Sequence, residues 1–300
     1  MKHDVEELKQ EMLAEYERQG QVDIQSWLAR FPNLPEDLLD YAFWLEGSPP
    51  LEVRVETPQA WTDEGEVAES ALRSGLLRLA EGVEEEERRL ARLLAQARRT
   101  VARRRGGGKA RPPFRRAAVQ TWVFDQLRGS HERVSRYVTY KTVYLVERAL
   151  NLELFTSYQK MKAGPYDPQL RYRDAEPIAL KQGWIAVAGL DLVAGKNIKE
   201  VHKYAPSYLG GVQGAREFIQ FLAQVPPWDL ETWTTVDTTA RELIGREQPV
   251  TPEGVRAVLA ASPEWKQKLK KQNFSTTRIA AAIEHLSRLG LLPETGSPQH

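Results

Sequence analysis

The sequence predicts a mostly α-helical protein: a helical N-terminal head, then a C-terminal helical domain with a small β-hairpin and a helix-turn-helix-like end. Three observations lead there. Apolar residues recur at three- and four-residue steps along most of the chain, as they do on one face of a helix. Start and stop signals bracket those stretches, among them Thr251 followed by Pro252, and Gly290 after the last apolar turn. Strand signals are confined to Leu51–Val55 and to WIAVAGLDLV (184–193), which reads as two short strands turning at Gly189.

The elements follow in order. In the head (1–50), Val5, Leu8, Met12 and Tyr16 mark one helix. Asp23 suits the N-cap of Ile24–Phe31, which Pro32 and Pro35 end, and a second apolar set runs from Leu38 to Leu45. So few large apolar groups make a marginal core, so the head is expected to dock on something. Residues 51–105 read as a proline-containing acidic linker followed by amphipathic helix, with Leu90, Leu93, Leu94, Ala97 and Val101 on one face. Glu84–Glu87 near its start and Arg98, Arg99 and Arg103–Arg105 near its end suit the helix dipole, and Glu85 to Arg89 has ion-pair spacing. Three glycines and two prolines in 106–113 read as a basic hinge and the main domain boundary. The domain 114–294 opens with helices at Val119–Leu127 and Tyr137–Leu150. KAGPYDP (162–168) is a loop, Glu176–Gln182 a helix, and Phe218–Ala223 and Trp228–Leu243 two more. The last helix starts at Ser275, and 295–300 is a disordered tail.

Charge is segregated. Residues 1–50 carry a net −7, 51–87 a net −8, 88–116 a net +12 with no acid at all, and the remainder +4. The formal total of +1 hides an acidic head, a basic belt and a balanced body. Such asymmetry signals an anionic partner or self-neutralisation between segments. With no cysteine, a disulfide framework, a thiolate nucleophile and Cys-ligated metal are excluded. No apolar run approaches a membrane span, and MKHDVEELKQEM has no signal-peptide h-region, so a cytoplasmic protein is expected.

Catalytic patterns are sparse. His3, His131, His202, His285 and His300 stand apart, with no HExxH or HxH spacing. There is no GxSxG elbow and no dinucleotide fingerprint, and GGGK (106–109) lacks both the preceding strand and the Ser/Thr of a phosphate loop. A metal nuclease would draw on Asp191, Glu264 and Lys266. No catalytic residue, metal ligand or cofactor is expected. Trp122, Trp184, Trp228, Trp233 and Trp265 read as core or interface anchors.

Two basic groups are candidates for nucleic acid. The first is the belt: Arg98, Arg99, Arg103, Arg104, Arg105, Lys109, Arg111, Arg115 and Arg116. It either neutralises phosphates, with salt-dependent affinity, or is a solvated face paired with the acidic head or with Glu84–Glu87. The second is Lys266, Lys268, Lys270 and Lys271 with Arg278 at the start of the last helix. That order suits a helix-turn-helix reader or a plain packing unit, and too few residues follow Gly290 for a full wing. The loop Gly164, Pro165, Tyr166 and Asp167 is stiffened by its prolines and is either a structural corner or a partner-binding loop.

The Lys141–Glu147 helix, the Ala163–Pro168 loop and Gly183-Trp184 before a strand carry a resemblance. With the stretches at 233–243, 251–258 and 274–292, they make residues 118–294 similar to a helical accessory module of bacterial defence islands, associated with type I restriction specificity subunits. More loosely, the tyrosine helix followed by a Gly-Pro loop resembles the SocA/Panacea antitoxin domain, which neutralises toxins by binding them. The chain lacks the target-recognition domains of a specificity subunit and the Cro-type repressor domain that often precedes such antitoxin modules. SWLARFPNLPEDLL (26–39) is similar to short helical segments at the N-termini of varied bacterial regulators. The resemblance implies a non-enzymatic regulator or adaptor of a defence or toxin–antitoxin system, with a protein partner (a toxin or defence-complex subunit) and DNA as a second. The alternatives are a protein-interaction module without DNA and, third, a metal-dependent enzyme acting on nucleic acid.

Overall fold

The structure, a computed structural model, describes residues 65–104, 112–130, 134–155, 157–188 and 191–293, together with Leu8, Glu11, Met12, Ala14, Glu15, Trp27 and Arg30. Asp23 and the Ile24–Phe31 helix apart from Trp27 and Arg30, the Leu38–Leu45 helix, the Leu51–Val55 strand, most of the 106–113 hinge and the tail lie outside the described residues. In the head, Leu8, Met12 and Trp27 are buried. The Trp27 indole donates to Glu15 at 2.5 Å, and Arg30 pairs with Glu11 while lying over the Trp27 ring.

The chain is mostly helical, with small antiparallel sheets. Helix α1 (Gly65–Arg104) is 40 residues long. Its last turns press Leu90, Leu94, Ala97 and Val101 into the core that the rest of the chain builds. A helix with one apolar stripe must bury it, and here it does so on elements that follow the glycine-rich segment. Leu90–Val101 and the elements that follow residue 111 thus share one core. Contact is closest at Gly210, whose φ is +68° and where a Cβ would stand 2.7 Å from the Ala97 carbonyl oxygen.

Helix α2 (Pro112–Arg128) is buried continuously from Ala117 to Phe124, so it runs through the centre. Helix α3 (Arg136–Leu150) is buried on nearly every side. Ser135 caps its start by accepting from the Val138 N–H, and Asn151 ends it in the left-handed conformation. Strand β1 (Val134–Ser135) precedes it. β2 (Gln159–Met161) and β3 (Gly164–Tyr166) pair antiparallel, Met161 opposite Gly164, where the sequence reads a loop. A π-turn (Gln169–Arg173) and α4 (Ala175–Lys181) lead to β4 (Ile185–Ala188) and β5 (Asp191–Ala194). These are the expected hairpin, and β1 extends it in the order β1-β5-β4.

A 3₁₀ turn (Ile198–Lys203) and α5 (Ala205–Tyr208) precede α6 (Gln213–Leu222), α7 (Pro227–Gly245), α8 (Pro252–Ala261) and α9 (Thr276–Arg288). Thr251 caps α8, Ser275 caps α9, and Gly290 follows α9 at φ +67°, as the sequence signals. The helix-turn-helix-like end is corrected. Lys266–Lys270 forms a 3₁₀ turn, with a second at Gln272–Phe274, because Trp265, Lys268 and Phe274 are drawn into the interior. No described helix is long and apolar enough to cross a membrane.

Candidate anion-binding surface

The predicted basic residues separate into two groups according to what they face. Arg98 turns inward: its Nε donates to the Ala149 carbonyl and its Nη2 to the Gly290 carbonyl at 2.9 Å. Burial, and the charge of Arg148 nearby, push it below the usual guanidinium range. Arg116 donates to the Leu154 carbonyl and pairs with Asp174 at 2.5 Å. Arg115 is half-buried and lies over the Tyr208 ring at 5.3 Å. Lys268 is buried against Glu231, and Lys271 Nζ is 3.6 Å from the same carboxylate. The described contacts of these five are made within the fold. Lys266 and Lys270 are exposed, and Arg278 is exposed with Asp229 at 3.6 Å. Arg105, Lys109, Arg111 and the Arg104 side chain lie outside the described residues.

Arg99 and Arg103 remain, and Arg92 joins them. All three are exposed, and none has an ion pair or hydrogen bond with a described residue. Steps of seven and four put them on one helical face, about 16 Å from end to end at 1.5 Å per residue. Gln96, also exposed, shares the face, and Arg88 continues it one turn earlier, held by Glu84 at 2.8 Å. Apart from the Glu84–Arg88 pair, the described ion pairs of the acidic run go elsewhere. Glu86 pairs with Arg89, in place of the expected Glu85, and Arg89 also reaches Glu217. Glu87 is buried between His285 Nδ1 at 2.5 Å and Arg288 at 2.6 Å.

The Gly164–Asp167 loop is an internal corner. Gly164 sits at φ +103°, and a Cβ there would stand 2.8 Å from Lys141 Nζ and 3.0 Å from Thr235 Oγ1. Pro165 is buried, and its carbonyl accepts from Lys141 at 3.2 Å. Asp167 is fully buried and accepts from the Ser157 and Gln169 N–H groups. Tyr166 packs on the Tyr140 ring. The stretch offers no free loop to a partner.

Sequence reasoning missed the polar seam between α3 and α7. Tyr137 donates to Glu231 at 3.2 Å, and Tyr144 donates to Asp237 at 2.6 Å. Arg148 grips Asp237 through Nε at 2.7 Å and Nη2 at 3.1 Å. Lys141 is buried among them; burial, with Lys268 close by, pushes its ammonium down to about 7. Burial likewise brings Lys268 down to about 8. Burial opposes ionisation of Glu231, yet the ammonium groups of Lys268, Lys271 and Lys141 together hold its carboxyl below the usual range. On the next face of α3, Arg136 and Tyr140 hold Glu176. The available signal was the four-three-four spacing of Tyr137, Lys141, Tyr144 and Arg148.

No family model, curated protein or solved structure matches the chain.

Among the described residues no three His, Asp or Glu side chains converge to hold a metal. Asp191 pairs with Ser135 in the sheet, and Glu264 accepts from the Ser262 hydroxyl. The chemistry the surface offers is cationic: Arg92, Arg99 and Arg103 put guanidinium donors on one helical face with no acid paired to them among the described residues.

Proposed function

We propose that the chain is a non-enzymatic regulator or adaptor that binds nucleic acid through the outer face of α1 and the basic segment that follows it. The observation that carries this reading is the exposed row Arg92, Arg99 and Arg103, which has no ion pair or hydrogen bond among the described residues. A row of this length meets about three backbone phosphates, and each releases condensed counterions when neutralised. Arg104, Arg105, Lys109 and Arg111 extend the charge toward α2. The resemblance of residues 118–294 to the defence-island module supplies the setting and the protein partner.

The test is fluorescence anisotropy of a labelled duplex against the full chain over a salt series. Binding is expected to weaken with salt, and Arg92→Ser/Arg99→Ser/Arg103→Ser to flatten the log–log slope by about 2.7, at 0.9 per lost phosphate contact. No binding at low salt, or a slope unchanged in the triple variant, would overturn the reading in favour of a protein-only adaptor.

A further inference from the structure

Beside the arginine row lies a cleft that the nucleic-acid reading does not use. It opens where α3 ends, between α3, the segment after it and α7, and holds about 480 Å³. That is the size of a small-molecule site. A smaller hollow of about 230 Å³, lined by Arg98 and Arg99, adjoins it through the shared residue Asn151.

The walls are of two kinds. Tyr144 and Tyr158 meet edge to face at 4.8 Å, and Phe155 stands beside them, so one wall is aromatic. The polar wall has bonding capacity of one sign left over. Glu147 is satisfied, accepting from the Phe155 N–H at 2.7 Å and the Tyr158 hydroxyl at 2.9 Å. Glu242 holds Lys160 at 2.6 Å, and Glu153 is engaged as well. Arg241 is exposed at the cleft and has no partner among the described residues. Burial lifts the Glu147 carboxyl to about 7, so about half of its charge is lost at neutral pH.

The backbone supports the same assignment. Asn151 and Glu153 both line the cleft at positive φ, 52° and 54°. For Asn151 the end of α3 accounts for it. Glu153 ends no helix, and a non-glycine residue held there against its preference is a feature that clusters at ligand sites.

We propose that this cleft binds a small organic anion with a flat unsaturated body, its phosphate or carboxylate taken by the Arg241 guanidinium and its ring laid on Tyr158. A planar fork of donors suits either oxyanion. The aromatic wall makes the body, not the charge alone, the second determinant. Arg241 is not part of the α1 row, and the proposal does not depend on nucleic acid binding there.

The experiment is calorimetric titration of the full chain with AMP and with benzoate, and with inorganic phosphate as the bare anion. One ring-bearing anion is expected to saturate at least about tenfold more tightly than inorganic phosphate, and Arg241→Ala to weaken it about tenfold or more. Arg241 is exposed, so the variant keeps the fold, and Arg241→Lys should recover part of the affinity. AMP tightest would assign a nucleotide phosphate; benzoate tightest, an aromatic carboxylate. The proposal is overturned if neither ring-bearing anion saturates below about 5 mM. It is also overturned if inorganic phosphate binds as well as either, or if binding survives Arg241→Ala but is lost in Arg92→Ser/Arg99→Ser/Arg103→Ser.

Discussion

Two helices carry cationic rows at helical spacing, and they do opposite things. On α1, Arg92, Arg99 and Arg103 are exposed and have no partner among the described residues. On α3, Tyr137, Lys141, Tyr144 and Arg148 face α7 and are locked to Glu231, Asp237 and the Pro165 carbonyl. The repeat makes the row in both cases. What lies across from it decides whether the charge is available to a ligand or committed to the fold. A buried charge must be paired, because its desolvation is costly unless opposite charge and hydrogen bonds offset it. An exposed one is screened by water and left free to exchange partners.

The comparison is broken most severely at Glu231. Three lysines share this one buried carboxylate. Glu231→Ala should therefore leave uncompensated charge inside and destabilise the chain by about 3–5 kcal/mol, read by urea unfolding. A loss below 1 kcal/mol would show the seam to be incidental, and the contrast with α1 would fail.

The seam also sets a pH signature. Lys141 and Lys268 take up protons near 7 and 8 when folded but near 10.5 when unfolded. Between those limits the unfolded state binds more protons, so stability is lost as pH falls toward 7. Glu147 runs the other way, at about 7 folded against 4.5 unfolded, so its contribution is full below 4.5 and is lost as pH rises to 7. Together these groups place a shallow minimum of stability near neutrality. Lys141→Met should flatten the alkaline limb of melting temperature against pH, and Glu147→Gln the acid limb. If neither variant changes its limb, these groups do not set the curve.

Most of the architecture was legible locally. The apolar steps of Leu90–Val101, the Thr251 and Ser275 caps and the strands at 184–193 depend on neighbours in the chain, and all appear in the structure. What could not be read was pairing over distance. Tyr144 and Asp237 are 93 positions apart, and Arg288 and Glu87 are 201 apart. Lys141 in isolation resembles the polar side of an amphipathic helix, and nothing within a few turns of it announces α7. For the same reason the basic belt read as one feature. Arg98 and Arg99 are consecutive, yet 100° of helical rotation turns one toward Gly290 and leaves the other in water.

Gln120 is a smaller probe of the same rule. It is fully buried on α2, and neither amide atom has a hydrogen-bond partner among the described residues. An apolar side chain of similar size removes that unmet demand, so Gln120→Leu should stabilise by about 1 kcal/mol. In a unit of this size that raises the melting temperature by about 2–4 °C. A fall instead would mean that the amide has a partner after all, a bound water being the simplest.

The least effect on stability belongs to the α1 row, and its smallness is what sharpens the contrast. Arg92→Ser/Arg99→Ser/Arg103→Ser removes three exposed charges that have no ion pair or hydrogen bond among the described residues, and exposed substitutions of this kind shift stability by about 0.5 kcal/mol or less each. The same triple change is the one expected to flatten the salt dependence of duplex binding. A variant that keeps its unfolding midpoint and loses its anion dependence separates a surface kept for a ligand from a seam kept for the fold. A loss of stability comparable to that of Glu231→Ala would instead place the row in a packed interface, and the two helices would no longer differ in kind.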